Sequence, residues 1–544
     1  MDLQNFSLRV TQQSSPILGE DQVCNSAGGH SWEASSWTRL RRFLVLGSEG
    51  GSYYASAHRL TLDNIDSLLT CLAADPRRYL REVLEISEAG RAPKNDAAIF
   101  ALALAMSRGN DAARALAGDI LPRVCRTGTH LFQFAQYVSN LRGWGRGLRR
   151  AVAGWYEQAE PDRLALQMVK YRLRAGYTHR DLLRLAHPRT SIHTVESQDE
   201  EDSIRSDLYD WACGRLGLDS MTDAQRARLP QIIVGYELAN RAKSVSEVAA
   251  LVREYRLTHE CLPSAFLSAP EVWEALLEHM PLGALTRNLA RMTANGLLTP
   301  RSDATRHVVL RLGAFPDICR ARLHPLSILA ALKTYEQGHG ERGRLTWRPV
   351  TRVIDVLNSA FYGAFGSVES VGNRKLLALD VSGSMGWGTI AGMPGLTPRV
   401  GASAMALVTA VVEPSLEILA FAHRLQPLSI SPRSRLDDVV RATERLDFGG
   451  TDCALPMIYA TERKLEVDTF VVYTDSETWF GDIHPAQALA RYREQSGIPA
   501  RLVVVGMMAN EFSIADPTDS GMLDVVGFDT ATPQLIADFE RGRI

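Results

Sequence analysis

Apolar residues recur at intervals of three and four from Thr38 to Tyr362, the spacing that gathers them on one face of a helix. The pattern predicts helices over residues 64–72, 77–86, 96–106, 112–124, 131–141, 148–158 and 164–173. Turn signals such as Ser107-Arg108-Gly109-Asn110 and Ala175-Gly176 separate them. The resulting repeat of roughly 15 to 20 residues is the rhythm of stacked helical hairpins, open or closed into a ring. Helical periodicity returns through Ala239, Val248, Val272, Leu285, Val308 and Ile328. Between these blocks, residues 191–202 carry Glu196, Asp199, Glu200, Glu201 and Asp202 with no apolar period, and read as an exposed loop.

At Gly366 the period changes. Strand-like runs at 376–379, 416–421, 470–473 and 502–505 alternate with helix-like runs at 402–412, 436–446, 454–463, 486–494 and 533–540. Alternation of that kind builds a parallel sheet with helices on both faces, and ligands then gather outside the carboxyl ends of the strands. The change of period divides the chain into a helical unit, 1–365, and an α/β unit, 366–544.

Composition narrows the class. With 544 residues the chain exceeds what one core usually holds, and 45% apolar residues, 22% charged residues and a net charge of -2 describe an ordinary globular protein. Nucleic-acid contact, if any, must therefore be local. The first residues show no basic stretch followed by an apolar core, so no secretory signal is expected. The longest apolar run, 97–106, is too short for a bilayer. Seven cysteines stand singly, without a Cys-x-x-Cys pair, which argues against a disulfide framework and a zinc site and for a reducing cytoplasm.

The strand ending in Leu379 runs directly into Asp380, Ser382 and Ser384 at alternate positions. A Gly-containing turn there swings three oxygen side chains around one point. Thr451, in Phe448-Gly449-Gly450-Thr451-Asp452-Cys453, and Asp475, just past the strand at 470–473, supply two more oxygens. Five oxygen donors from three segments suit a hard cation such as Mg2+ or another divalent ion. Capping of a strand-to-helix turn by Ser and Gly is the bland alternative for Asp-x-Ser-x-Ser alone, and Thr451 with Asp475 tips the reading toward metal.

Between Arg126 and Arg189 twelve Arg or Lys residues face four acids, and His130, Phe132, Phe134, Trp144, Trp155, Tyr171, Tyr177, His179 and His187 are interleaved with them. Guanidinium groups and planar rings can hold phosphates and stack unpaired bases. A solvated helical face over an aromatic core accounts for charge alone equally well. Trp144 and Trp155 favour packing, and His187, before Pro188, sits where a helix must end.

Longer motifs decide between these. Trp37-Thr38-Arg39-Leu40-Arg41-Arg42-Phe43-Leu44, the Gly-rich stretch after it at 46–54, and Gly128-Thr129-His130-Leu131-Phe132 resemble the TROVE module of the Ro autoantigen family, as do His324-Pro325 and Gly338-His339-Gly340. Lys170-Tyr171, Arg174, Gly176 and the run His179 to His187 are similar to that family's RNA-contacting stretch. Asp-x-Ser-x-Ser with Thr451 and Asp475 resembles the metal-ion-dependent adhesion site of von Willebrand factor A domains.

The resemblance implies an α-helical ring of HEAT-like repeats, formed within one chain as a monomer, and an α/β von Willebrand factor A-like domain with a Rossmann-type parallel sheet that closes it. It implies a non-enzymatic RNA-binding protein of bacterial type, acting in RNA quality control and decay. Small noncoding Y-like RNAs would bind outside the ring, and single-stranded 3' ends of misfolded RNAs would enter its central hole. A 3'-to-5' exoribonuclease would be a partner, and no membrane is expected. Carried over by motif, Lys170, Arg174 and His187 are the first candidates for RNA contact, followed by Thr129, His130, Arg172, His179, Arg180 and Arg184. Ser382, Ser384 and Thr451 would bind the metal through hydroxyls, and Asp380 and Asp475 directly or through water. The acidic segment 191–202 departs from the family's pattern beside His187. A Mg2+-dependent protein scaffold or adhesion protein is the competing reading. A hydrolase or phosphotransferase is disfavoured, because the chain has no Gly-x-x-x-x-Gly-Lys-Ser/Thr loop and no evident nucleophile–base pair.

Overall fold

The computed structural model describes residues 10–47, 57–189, 200–321, 323–340, 344–365, 370–390, 396–428, 430–431, 434–446, 449–526 and 531–543. From Ser36 to Gly363 the described residues are almost entirely helical. Short polar residues start the helices where the sequence places them. The Asp75 carboxylate accepts from the amides of Arg77 and Arg78 ahead of Pro76–Ala89, Asn110 caps Asp111–Val124, and Thr178 forms a capping box with Asp181 at His179–Ala186. Each such cap satisfies amides that the helix leaves open.

The helices pack in layers. Pro76–Ala89, Asp111–Val124, Arg146–Glu157 and His179–Ala186 pack one on the next, while Asp96–Arg108 packs on Gly128–Leu141. The array then runs through Gln231–Ala239, Val245–Tyr255 and Pro270–His279, and Leu282–Ala294 packs on Pro325–Glu336. Helix Pro161–Lys170 ends three residues before the expected limit, and Glu200–Ala212 takes up Glu200, Glu201 and Asp202 as its first turn. That corrects the loop expected over 191–202: acids at a helix N-terminus are favourably placed against its dipole. Residues 191–199 lie outside the described residues, as do 48–54 of the Gly-rich motif.

Nine strands among the described residues complete the fold. A six-stranded sheet has the order β5 (Leu425–Pro427), β4 (Leu416–Phe421), β3 (Lys375–Asp380), β6 (Thr469–Thr474), β7 (Arg501–Gly506), β9 (Met522–Val526), all parallel except the β5 edge. Every residue of β3 and β6 is buried, as a sheet covered on both faces requires. Alternate side chains serve two cores. Leu377, Leu379, Val471 and Tyr473 join the core that runs through the helical array, and Leu376, Ala378, Phe470 and Val472 join a second one on the other face.

A second sheet was not foreseen. β1 (Gln22–Cys24) and β2 (His30–Glu33) form an antiparallel pair, and β2 pairs with β8 (Phe512–Ser513). Residues near the start of the chain thus belong by contact to the α/β unit, across the 1–365 and 366–544 division. Strands of two to four residues leave no period to read.

The α/β unit holds both ends of the helical array. Arg42, only 1% exposed on helix Ser36–Leu46, donates to Asn510 O at 3.1 Å, Phe512 O at 2.8 Å and Asp524 Oδ2 at 2.6 Å. Asn64 donates to Ala509 O and Arg91 to Val526 O. From the other end, Lys333 on Pro325–Glu336 pairs with Asp437. The His324 ring also bonds Arg91 O at 3.0 Å, joining residues 233 apart in sequence. These contacts close the helical array into a circuit.

Candidate functional sites

The first site lies at the carboxyl edge of the six-stranded sheet. β3 delivers Asp380 and β6 delivers Asp475 one residue past its end. Asp380 Oδ1 accepts from Ser382 N at 2.9 Å and Oδ2 from the Thr474 hydroxyl at 2.7 Å. The Ser382 and Ser384 hydroxyls are 3.0 Å apart, and Asp475 Oδ1 accepts from Glu477 N at 3.1 Å. The Thr451 loop is tied to the same edge, with Thr451 O accepting from the amides of Trp479 and Phe480. Asp380, Ser382, Ser384, Thr451 and Asp475 are all buried.

Burial and the neighbouring Asp475 charge push the Asp380 carboxyl up to about 7, and burial raises Asp475 as well. Neither carboxylate makes an ion pair among the described residues. Arg399 sits behind the loop, but its guanidinium donates to the carbonyls of Val381 and Ser382. Two buried carboxylates beside three hydroxyls, with no ion-pair partner among the described residues, are a donor set that fits a hard divalent ion. Among the described residues no three His, Cys, Asp or Glu side chains are arranged to hold a metal, so a cation here would depend on the hydroxyls.

The second site lies on the helical array. Lys170 ends its helix with Nζ 3.6 Å from Glu260 Oε1 and 5.5 Å above the Tyr171 ring. Arg172 lies 5.3 Å over the Tyr236 ring and bonds its hydroxyl. Arg174 is exposed in a tight turn closed by its bridge to Tyr177. Arg180 and Arg184 are exposed on His179–Ala186, and their side chains make no hydrogen bond or ion pair among the described residues. His187 caps that helix in the left-handed conformation, φ 50°, with its ring at an exposed tip.

His179 is a correction. It is 4% exposed, with its ring 4.8 Å from Phe132 and 6.5 Å from Trp155. Its Nε2 lies 3.2 Å from Gln167 O, and its Nδ1 2.8 Å from the Tyr156 hydroxyl. The carbonyl can only accept, so Nε2 carries a proton, and in the neutral ring Nδ1 accepts from the Tyr156 hydroxyl. Burial pushes the imidazole down to about 4. Its motif position reflects packing, and no RNA can reach it without unfolding that core. Trp155 is buried likewise, its indole bonded to Cys125 O at 2.6 Å.

Thr129 and His130 lie elsewhere, in a cavity of about 840 Å³ between the two ends of the array. Lys94, Arg126 and Arg287 face it together with Asp96, and burial holds the His130 imidazole down near 4. Arg287 and Lys94 were missed by the sequence reading. They are far apart in sequence and meet only because the array closes, so no local signal marks them.

Comparison with known proteins bears on both sites. The TROVE domain family model matches residues 23–213 and 254–334, and the Ro60 vWA domain model matches 374–540. The chain is 44% identical over 529 residues to "RNA-binding protein RO60" of Deinococcus radiodurans, covering 97% of each. The chain belongs to the Ro60 family. A Ro60 relative from Caenorhabditis elegans, also named an RNA-binding protein, is 35% identical and covers 98% of this chain and 92% of its own. The crystal structure of the Deinococcus radiodurans Ro (RSR) protein superposes with a TM-score of 0.70 at 42% identity, covering 94% of this chain and all of that one. The helical array with a von Willebrand factor A-type domain, expected from the motifs, is thus the Ro60 architecture. No helix among the described residues is long and apolar enough to cross a membrane.

Proposed function

We propose that this Ro60-family chain is a non-enzymatic RNA-binding protein that holds small Y-like RNAs on the face formed by Lys170, Arg172, Arg174, Arg180, Arg184 and His187. The observation that carries the reading is the set of exposed guanidinium groups there, of which Arg180 and Arg184 have no partner among the described residues. Unpaired guanidinium groups exchange water for phosphate without first breaking an internal ion pair. The cavity that takes in Thr129, His130, Arg126 and Arg287 supports a second contact, the single-stranded 3' end of a misfolded RNA. Action in cytoplasmic RNA quality control, with a 3'-to-5' exoribonuclease as partner, completes the reading.

Mg2+, or another divalent cation, would be held by Ser382, Ser384, Thr451, Asp380 and Asp475. When bound, it supplies a Lewis-acidic position that takes a partner's carboxylate. The chain's residues do the rest: Thr474 and the Ser382 amide orient Asp380, and Arg399 fixes the backbone of Val381 and Ser382. Those buried carboxylates also favour a second reading, a metal-dependent protein scaffold.

Titration of a small structured RNA by mobility shift tests the first reading. Lys170→Ala with Arg174→Ala should weaken binding and flatten its salt dependence by about 0.7 to 0.9 per lost phosphate contact. Unchanged affinity and slope would remove this face from the interface. Sequencing of RNA that co-purifies with the protein identifies the ligand, and recovery of none would favour the scaffold.

A further inference from the structure

A groove of about 630 Å³ runs between helices Asp111–Val124 and Arg146–Glu157, apart from the Lys170 face and the cavity above. Arg114, Arg142, Arg146 and Arg150 line it. The side chains of Arg146 and Arg150 are exposed and make no hydrogen bond or ion pair among the described residues, and neither does that of the adjacent Arg149. Of the carboxylates that share the lining, Asp111 is paired with Arg114 at 3.1 Å and Glu157 accepts from Arg189 N at 2.6 Å, while Asp119 is exposed.

The helix that forms one wall breaks a local rule. Arg146–Glu157 begins with Arg146, Arg149 and Arg150 and has no acid in its first turn, although cations are unfavourable at the positive end of a helix dipole. Its N-cap is Gly145, which supplies no side-chain acceptor. The first-turn amides of Arg146, Gly147 and Leu148 therefore lack a cap, and all three residues line the groove. Three guanidinium groups and uncapped amides concentrate positive potential at one end of a cleft, which an anion relieves. A violated local preference without a compensating contact inside the chain points to function.

We propose that this groove is a phosphate-binding cleft for the RNA backbone, holding a segment of the same RNA that contacts the Lys170 face. The proposal rests on the RNA-binding reading above. Continuity argues for one ligand across both. The loop before the helix is tied to the Arg174 turn, since the Trp144 indole donates to the Tyr177 hydroxyl at 3.2 Å with the rings 6.2 Å apart. At the other end Glu157 holds Arg189, two residues beyond His187. The two ties set the groove beside the first face.

Two variants test it. Arg146→Ala with Arg150→Ala should weaken binding of a small structured RNA about tenfold and reduce the slope of log K against log salt by about 1.4 to 1.8, two phosphate contacts' worth. Gly145→Asp places a carboxylate in the cleft. A Cβ at Gly145 meets no atom within 4 Å, so the aspartate fits and caps the helix. Its melting temperature should hold or rise while RNA affinity falls. Wild-type affinity and slope in both folded variants would overturn the proposal. The RNA-binding reading itself fails separately, if the wild-type protein binds no RNA at all. Titration with inorganic phosphate settles the source of the anion. If phosphate raises the melting temperature of the wild type but not of Arg146→Ala/Arg150→Ala, while RNA binds both equally, the cleft takes free phosphate and the RNA assignment falls.

Discussion

Arg42→Ala should separate the α/β unit from the first helices. The guanidinium is essentially without solvent contact and serves four acceptors: Asn510 O, Asn510 Oδ1, Phe512 O and Asp524 Oδ2. Truncation leaves the carbonyls of Phe512, buried, and Asn510, part-buried, without this donor and Asp524 without its countercharge. Breaking a buried ion pair from one side typically costs about 3 to 5 kcal/mol. Asp524 keeps the Ser513 hydroxyl as a donor and its side chain is 13% exposed, so the lower end, about 3 kcal/mol, is expected. The assay is urea unfolding of wild type, Arg42→Ala, Asp524→Ala and the double variant. The cycle should show a coupling of about 1 to 3 kcal/mol between the two sites. Limited proteolysis of Arg42→Ala should also cut first near β8 and β9, the strands this arginine fixes. A loss below about 1 kcal/mol, the range of an exposed pair, would mean that the arginine is not what holds the two units together.

Asp380→Asn should abolish stabilisation by Mg2+ while leaving the metal-free protein as stable as before or more so, because it removes one of two buried charges; wild type at about 100 times the dissociation constant should gain about 2.7 kcal/mol in calorimetry. His179 should make the protein acid-sensitive. Its folded value near 4 lies below the unfolded value of about 6.5, so stability that is complete above pH 6.5 is lost as pH falls through 4, by up to about 3 kcal/mol, and denaturation of His179→Asn across that window should lack this component. Glu260→Gln should free Lys170 from its 3.6 Å partner and tighten RNA binding by at most roughly fivefold, since a partly exposed pair is worth up to about 1 kcal/mol. No change in a titration would show that Lys170 is already available.

Much of this architecture is visible in the pattern of the chain, and the gaps have physical causes. Helices such as Asp96–Arg108 and strands such as β3 carry periods long enough to read, and the turn after β3 places Asp380, Ser382 and Ser384 by covalent geometry alone. The β1–β2–β8 sheet was illegible because its strands are short and its partners lie almost 480 residues apart. The cavity between Lys94 and Arg287 was hidden for the same reason, since closure is a property of the whole array.

His179 and Arg146 show how the same composition misleads in opposite directions. His179 sits in a run of RNA-like residues, yet the helix that carries it turns that position inward, against Phe132 and Tyr156, where the imidazole completes two hydrogen bonds and is held neutral. Arg146 looks like ordinary surface charge, yet it occupies the helix end where a cation is least welcome and has no partner among the described residues. Counting cations and rings along the stretch cannot separate the two cases. Asking which polar groups are already committed within the fold can, because a satisfied imidazole has no capacity left for a ligand, whereas an exposed guanidinium at a positive helix end holds only water and can exchange it for an anion.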